Sequence, residues 1–410
     1  MDPMLLIGNP DNRRTAGLQA ARSRLGLPPA RVVPYLELLR GEITLAQLAE
    51  ELAAEPKHAG ESGEAGLIIR LDAPGEHFEV ERELIALGAP DCLRDERADR
   101  LLPFVGVADP EPLSARSARA LLEQQGRLYH PSQWFRGYGR LLARLEEEAA
   151  VVLPTARWHH PPAAIAAMFD KRHTHHVLMA AGVPVPRQLT PAGTLDGYEA
   201  LLEAMRSRRM HRVFVKLASG SGACGVVAYQ WNPATGAELA VTTIGVERQL
   251  ARPPLFYNAI KLRRYTDSAD IRLILNWLLA HGAHAEQWMP KASYGPRVFD
   301  IRQLVVDGEA CHSVARVSST PITNLHLRSE RMSLDELGLH ESVQAEVRSC
   351  AEQALAAFPG ARSAGVDVLL GSGSQANRPF VLDVNPFGDL LYRVTYRGLD
   401  PYLWQMMRRV

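Results

Sequence analysis

Residues 365–386 have the sequence GVDVLLGSGSQANRPFVLDVNP, which predicts two neighbouring strands joined by a turn rich in glycine and serine. Residues two apart on a strand share a face, so Asp383 and Asn385 project together, and Asp367 on the neighbouring strand can join them. Three oxygen donors of this kind suit Mg²⁺. The alternative is a hydrogen-bonded turn in which Asn385 precedes Pro386. Because two acidic side chains buried in apolar strands are costly without a cation, we favour a metal site.

A glycine-rich segment, Gly220–Gly225, has the pattern G-x-G-x-x-G and lies between two predicted strands, Arg212–Leu217 and Val226–Tyr229. A dinucleotide-binding loop needs a helix after it, but a predicted strand follows here. A Walker A loop ends in Gly-Lys-Ser/Thr, and this sequence is not present. The protein-kinase pattern fits the loop, but the H-R-D and D-F-G motifs are missing. The preceding strand carries Lys216. Glycine N–H groups and this ammonium can surround a triphosphate; the alternative is a tight hairpin with an exposed lysine.

The composition is that of an ordinary globular protein of 410 residues, 46% hydrophobic and 22% charged. The 46 basic residues balance 46 acidic ones, which argues against nonspecific binding to nucleic acid. Four scattered cysteines without a C-x-x-C pair argue against a disulfide scaffold and a zinc knuckle. The sequence has no signal-peptide pattern and no apolar stretch of about 20 residues. We therefore expect a cytoplasmic, multidomain α/β protein with no membrane or nucleic-acid partner.

The first part of the chain has the pattern of a small parallel α/β unit. A strand at Met4–Ile7, a helix at Arg14–Leu25 and a strand at Leu67–Leu71 follow one another. The intervening segment Ala53–Gly66 is rich in Ala, Glu and Gly, and predicts a mobile surface loop.

A long helical pattern follows, from Ser114 to Ala150. Pro154 and Pro161-Pro162 mark a boundary after it. Its candidate core residues are Leu121, Leu122, Leu141, Leu142 and Leu145.

Together the segments after this boundary resemble the ATP-grasp superfamily over about residues 157–405. Any one motif is a weak signal, but six motifs in the family's order make a strong one. They are Asp170-Lys171 with Leu178–Pro186, Lys216 with Ser219–Val226, Glu286–Met289, Asp300-Ile-Arg302, Arg316 with Asn324, and the set Asp367, Asp383 and Asn385.

The resemblance implies the fold class α/β plus α+β, with a Rossmann-like N-terminal domain followed by a two-lobed ATP-grasp domain. The predicted division assigns residues 1–110 to the first domain, 111–156 to a helical linker and 157–405 to the ATP-grasp domain. Within that domain, a nucleotide-clamping lobe covers about residues 170–285 and a metal-binding lobe about 286–405.

The resemblance also implies ATP and Mg²⁺ as cofactors and assigns site residues. Those expected to bind ATP are Lys171, Lys216, Ser219, Gly220, Ser221, Gly222, Gly225, Glu286, Gln287, Trp288 and Met289. The expected metal ligands are Asp367, Asp383 and Asn385, and the expected catalytic residues, near the acceptor, are Arg302, Arg316 and Asn324.

The implied activity is that of an ADP-forming carboxylate–amine ligase acting on a small molecule or peptide, with self-association into a homo-oligomer left open. A phosphotransferase on the same scaffold, or a nucleotide-regulated binding protein without turnover, are the alternatives. The sequence departs from the family pattern in three places. Asp383 stands where a glutamate is common, Lys291 stands where relatives often carry a ribose-binding glutamate, and no Gly-Gly follows Asn324. These departures leave the acceptor undefined.

Two further features have competing interpretations. One predicted helix carries His173, His175 and His176. Because His173 and His176 are three residues apart, these two can share a metal, although the sequence places no third ligand beside them. Cys224 in the glycine loop is a small turn residue rather than a nucleophile in our interpretation.

Overall fold

The computed structural model describes residues 3–54, 66–92, 101, 108–191, 193–220, 224–327, 329–388 and 391–408. These parts of the chain form one parallel and two antiparallel β-sheets with helices on their faces. The mixture confirms the predicted fold class of α/β plus α+β. The Rossmann-like character of the N-terminal part and the domain boundaries stay predictions.

The N-terminal part contains a four-stranded parallel sheet, sheet I, in the order β2-β1-β3-β4. Its elements are β1 (Met4–Gly8), α1 (Arg13–Arg24), β2 (Arg31–Pro34), α2 (Tyr35–Arg40), α3 (Leu45–Ala54), β3 (Ile68–Leu71), α4 (Phe78–Leu87), α5 (Ala115–Arg119), α6 (Pro131–Val152) and β4 (Arg157–Trp158). The predicted parallel pairing is confirmed, since β1 pairs with β3 from Met4 opposite Ile68. The sequence interpretation missed β2, whose two valines make too short an apolar run to stand out.

The predicted continuous helical region is wrong in its first half. Only α5 and α6 are helical, and Leu122 between them is 80% exposed rather than in the core. Helix α5 already ends at Arg119, and Gly126, in the segment that follows, has a left-handed φ of +76°. The three leucines of α6 are fully buried as predicted, namely Leu141, Leu142 and Leu145.

The predicted surface loop lies mostly outside the described residues, which resume at Gly66. Ala53 and Ala54 are described and form the end of α3. Among the described helices, none combines the length and the apolar character that a bilayer span requires.

The middle of the chain forms a five-stranded antiparallel sheet, sheet II, in the order β8-β7-β6-β5-β9. Its elements are α7 (Pro162–Phe169), α8 (Lys171–Ala180), α9 (Tyr198–Ser207), β5 (Arg212–Lys216), β6 (Val226–Trp231), β7 (Glu238–Gln249), β8 (Arg252–Tyr265), α10 (Ser268–Ala280) and β9 (His284–Gln287). Leu201 of α9 and Ile274 of α10 pack against Val213 and Val215 of β5, so these helices cover one face of the sheet. The opposite face is left to line a cleft.

The last part forms a second antiparallel sheet, sheet III, in the order β13-β12-β11-β14-β15, with β10 paired to β11. Its elements are β10 (Ser293–Tyr294), β11 (Arg297–Val306), β12 (Glu309–Ser318), the 3₁₀ turn Leu325–Leu327, β13 (Glu330–Met332), α11 (Glu341–Ala356), β14 (Ser363–Leu370), the 3₁₀ turn Gly373–Gln375, β15 (Pro379–Asn385) and α12 (Pro401–Met407). The predicted strand pair is confirmed, with Asp367 of β14 opposite Asp383 of β15. Val347 and Ala351 of α11 pack on the face away from the cleft.

Helix α12 returns to the N-terminal part and packs on α1. A Cβ atom on Gly17 would lie 2.7 Å from the ring of Tyr402, so only glycine permits this approach. Arg70 of β3 donates to Gln405 of α12 at 3.0 Å. Because Trp404 of α12 also packs with Leu304 and Val306 of β11, this helix joins the N-terminal part to sheet III.

Candidate active site

A cleft between sheets II and III gathers most of the residues predicted from the sequence. It encloses about 810 Å³ of space between protein atoms, part of it open to solvent. The predicted site residues that line it are Lys171, Lys216, Gly220, Glu286, Gln287, Met289, Arg302, Arg316, Asn324, Asp367, Asp383 and Asn385. Three other predicted residues are not part of this lining, namely Ser219, Gly225 and Trp288. The last two, Ser221 and Gly222, lie outside the described residues.

Lys216 and Glu286 form a buried ion pair on the cleft side of sheet II. They lie on the paired strands β5 and β9, and the lysine Nζ is 2.5 Å from the glutamate Oε1. His284 Nε2 lies 3.5 Å from the other carboxylate oxygen. Burial by itself would raise the pKa of Glu286, but Lys216 and His284 outweigh it and lower that pKa to about 2. The carboxylate is therefore ionised, and it holds the lysine ammonium in the cleft.

The predicted metal ligands lie together at the junction of β14 and β15. Asp383 is ion-paired with Lys171, and Asp367 with Arg302. Burial would raise the pKa of Asp383, but Lys171, Lys216 and Arg302 lower it below its ordinary value. The Asn385 side-chain nitrogen donates to the Gly365 carbonyl at 3.0 Å, which leaves its amide oxygen as the end available for coordination.

This donor set suits Mg²⁺, because it offers two carboxylates and one amide oxygen at the end of neighbouring strands. No group of three His, Cys, Asp or Glu side chains within the described ranges could hold a metal, so a three-donor site at this junction would include the Asn385 amide oxygen. The basic partners of both carboxylates already balance their charge in the absence of a cation.

Two arginines bracket Asp367. Arg302 Nε lies 2.6 Å from its Oδ1 atom, and Arg316 Nη2 lies 2.9 Å from the same atom. Arg316 also donates through Nε to Asp300 at 2.7 Å. Gly365 makes room for Arg302, since a Cβ atom there would lie 2.8 Å from the guanidinium Nη1. The arginines are thus fixed as planar forks facing the cleft.

Three further residues extend this ionic network, and none was among the predicted site residues. Lys291 Nζ lies 2.6 Å from the Thr323 hydroxyl and 3.4 Å from Asp300. Thr323 also donates to Asp300. Burial would raise the pKa of Asp300, but Arg316 and Lys291 keep it low. Asp300 was recognisable from its position two residues before Arg302, on the same face of β11; Thr323 carried no sequence signal.

The glycine loop confirms the strand–loop–strand arrangement predicted for it. The Leu217 N–H donates to the Gly225 carbonyl at 2.9 Å, closing the hairpin, and Gly220 lines the cleft. Gly225 has φ +68° and would bring a Cβ atom within 2.3 Å of Leu217, so it has to be glycine. Burial raises the pKa of Cys224 to about 12, which agrees with a packing role rather than a nucleophile.

Trp288 is outside the cleft lining. Its ring lies 5.4 Å from that of Phe214 and 3.9 Å from the Arg212 guanidinium carbon, so it packs beside the cleft-lining Phe214. In the histidine cluster, His175 Nε2 is 2.8 Å from the Pro186 carbonyl oxygen, while the rings of His173 and His176 are 6.5 Å apart. The shared-metal alternative gains no third ligand in the described part of the chain.

Comparison with known proteins identifies the fold. No family model and no curated protein matches the chain. Over 99% of both chains, it is similar to the crystal structure of the D-cycloserine synthetase DcsG, with a TM-score of 0.52 and 14% identity. This chain has the ATP-grasp fold.

Two further solved structures are similar at lower scores. The ATP-grasp ligase PsnB, complexed with a phosphomimetic variant of its minimal precursor, Mg and ADP, has a TM-score of 0.49 and 14% identity over 100% of this chain and 98% of that chain. The D-alanine–D-alanine ligase of Bacillus anthracis has a TM-score of 0.46 and 11% identity over 100% and 97%.

Proposed function

We propose that this ATP-grasp protein is an ATP- and Mg²⁺-dependent ligase. It activates a carboxylate as an acyl phosphate, which an amine then attacks to give an amide or peptide bond with release of ADP and phosphate. The observation that carries the proposal is the convergence, in one cleft, of Lys171 and Lys216 with Asp367, Asp383 and Asn385. The substrates belong to the class of amino acids and peptides.

The charges in the cleft support a phosphoryl-transfer site. The cleft is lined by five basic and four acidic side chains, and the basic ones lie on both walls. The basic residues are Lys171, Lys216, Lys291, Arg302 and Arg316, and the acidic residues are Glu286, Asp300, Asp367 and Asp383. Such a site neutralises a polyphosphate without needing a protein nucleophile, because positioning and charge stabilisation supply most of the catalysis of phosphoryl transfer.

The chain's own groups take distinct roles in this proposal. Lys171 and Lys216 would hold the phosphates, and the backbone of Gln287 to Met289 would hold the base at the connection between the sheets. Arg302 and Arg316 would orient the carboxylate and then the acyl phosphate through paired N–H groups. The Gly220–Gly225 hairpin would cover the intermediate and exclude water. Bound at Asp367, Asp383 and Asn385, Mg²⁺ would supply neutralisation of the phosphate charge.

The decisive experiment measures ADP release from Mg-ATP in the presence of pooled amino acids and then peptides, with mass spectrometry of the products. We expect ADP release that depends on an amine, and a product lighter by one water than its two parts. A phosphorylated product without amine dependence would instead identify a phosphotransferase. Tight ATP binding without any ADP release would identify a binding protein without turnover.

A paired substitution tests the metal assignment. Asp383→Ala removes a proposed ligand and should abolish turnover. Glu330→Ala, on β13 of the same sheet with its side chain 55% exposed and paired to Arg297, should leave turnover unchanged. Full turnover by the Asp383 variant would contradict the assignment of this carboxylate to the metal.

A further inference from the structure

Residues 120–130, here called the strap, run along the outer edge of sheet II although they connect two helices of the N-terminal part. The Asn258 N–H of β8 donates to the Gly126 carbonyl at 2.7 Å, and the Leu128 N–H donates to the Phe256 carbonyl at 2.9 Å. Arg127 pairs with Tyr257 as an antiparallel bridge. The strap therefore acts as a short additional strand that fastens the N-terminal part to β8.

A buried polar group, here called the junction, reinforces this attachment where α6 begins. Ser132 Oγ lies 3.1 Å from Asp109 Oδ2 and 2.8 Å from His281 Nδ1, and His130 Nδ1 lies 3.2 Å from Asp109 Oδ1. His281 directly follows α10 of the sheet II lobe, whereas the other three belong to the N-terminal part. Asp109 and His281 are each 6% exposed, so water cannot readily replace these hydrogen bonds.

The position of the strap matters because sheet II is held at both of its edges. At one edge, β9 continues through Met289 and Lys291 into sheet III. At the other edge, β8 is bound by the strap, and three strands lie between the two edge strands in the order β8-β7-β6-β5-β9. A rotation that widens the cleft about the β9 edge displaces β8 farthest, so it has to break the strap contacts.

The body to which the strap is anchored is itself firmly packed. Helix α6, which follows the strap, has Tyr138 and Leu141 fully buried in the N-terminal core. That core is joined to sheet III by His159, whose Nε2 lies 3.2 Å from Ser363 Oγ, and by α12. Sheet II is the remaining element that can move to open the cleft.

We propose that the strap and the junction form a latch that keeps sheet II closed over the cleft, and that opening of this latch sets the rate at which nucleotide leaves. The inference rests on the proposed nucleotide binding. Contacts made only in the closed state shift the equilibrium toward it, so removing one raises the open population and speeds release.

The first test removes the central hydroxyl of the junction. We expect Ser132→Ala to release a fluorescent ADP analogue about three- to tenfold faster in stopped-flow displacement, the range expected for loss of the one hydrogen bond, to His281, that joins Ser132 to the sheet II lobe. The control is Ser363→Ala, which removes a buried serine hydroxyl between His159 and His160, at the contact of the N-terminal part with sheet III rather than with sheet II. Its release rate should equal that of the unmodified protein.

A second variant attacks the strap by a different route. Gly126→Ala places a Cβ atom 2.8 Å from the Asn258 carbonyl oxygen at φ +76°, which forces the strap away from β8. Gly236→Ala carries the same backbone strain at φ +72° but meets nothing within 4 Å, and serves as its control. Hydrogen exchange of the amides at 126–128 and 256–258 should accelerate in Gly126→Ala and Ser132→Ala and not in the controls.

The outcomes separate the latch from the proposed function. If the analogue binds and both latch variants release it at the unmodified rate although their strap amides exchange faster, the latch is refuted and nucleotide binding stands. If strap exchange and release are both unchanged, the contacts are not the restraint we describe, and the inference also fails. If the unmodified protein does not bind the analogue at all, the proposed function fails first and the latch with it.

Discussion

Replacing Glu286 with glutamine should loosen the wall of the cleft, because the carboxylate is the main counter-charge of buried Lys216. Their side chains are 3% and 11% exposed. Although burial opposes it, the attraction of Lys216 and His284 lowers the pKa of Glu286 from 4.5 to about 2. That difference corresponds to about 3 kcal/mol of stabilisation. Since the folded-state pKa is the lower one, this stabilisation is present above pH 4.5 and is lost as the pH falls toward 2.

In the Glu286→Gln variant, the Lys216 ammonium loses its ion-pair partner and keeps its 3.4 Å contact with the Leu382 carbonyl and the attraction of Asp383. The amides of β5 and β9 should then exchange with deuterium about a hundredfold faster at neutral pH, as expected for the loss of about 3 kcal/mol of local stability. The double variant Lys216→Met/Glu286→Gln should lose less than the sum of the two single variants, because no unpaired charge remains.

The control for this prediction is an exposed pair on the same sheet. Arg248 and Asp270 lie 2.5 Å apart, but the arginine side chain is 59% exposed, so Asp270→Asn should change the exchange of β5 and β9 very little. Unchanged exchange in Glu286→Gln, or strictly additive losses in the double variant, would show that the pair does not stabilise this wall.

Two further predictions concern the arginine fork and the thiol of the glycine loop. Gly365→Ala should push Arg302 out of place, since the new Cβ atom would lie 2.8 Å from its Nη1. In kinetic and binding assays, we expect turnover to fall about a hundredfold while nucleotide affinity is retained. The control is Gly75→Ala, whose Cβ atom meets nothing within 4 Å and which should change neither turnover nor affinity. Cys224→Ala should keep its turnover, and in the unmodified protein alkylation of Cys224, followed by mass spectrometry, should be slow at pH 7 and quicken steadily as the pH rises, because desolvation raises the pKa of this thiol to about 12. Alkylation at pH 7 as fast as that of an ordinary exposed thiol would contradict the raised pKa.

The strands that carry the proposed metal ligands, and the Lys216 strand, could be predicted from the sequence because their alternation is local. Asp383 and Asn385 lie on one face whatever surrounds them, whereas the irregular register between Asp367 and Val368, which sets Asp367 opposite Asp383, could not be predicted. The glycine loop could be predicted equally well, because Gly220 and Gly225 lie between two strands that have a clear period of two. Their grouping in one cleft was inferred from the family resemblance rather than from any single pattern.

The remaining features depend on contacts between distant segments, which no local pattern encodes. The strap has no apolar alternation of its own, so the sequence pattern predicts helix there instead of a strand. Its hydrogen bonds to β8 join residues more than 100 positions apart, which a local pattern cannot indicate. The spacing of Leu122 from its neighbouring leucines fits a helix, which predicts a core position for it. The chain does not continue as a helix there, and Gly126 has a left-handed φ. Thr323 became recognisable only when folding placed it beside Lys291 and Asp300.

The contact between Gly17 and Tyr402 has a consequence for the synthesis of this protein. Met4, Leu6 and Leu18 share one apolar cluster with Leu403 and Met406, so the first strand and helix complete their packing only against residues made almost 400 positions later. A chain emerging from the ribosome would carry this apolar surface uncovered until α12 has emerged, a period in which chaperone binding or aggregation competes with folding. Emergence of α12 would then be the event that commits the N-terminal sheet to its native packing.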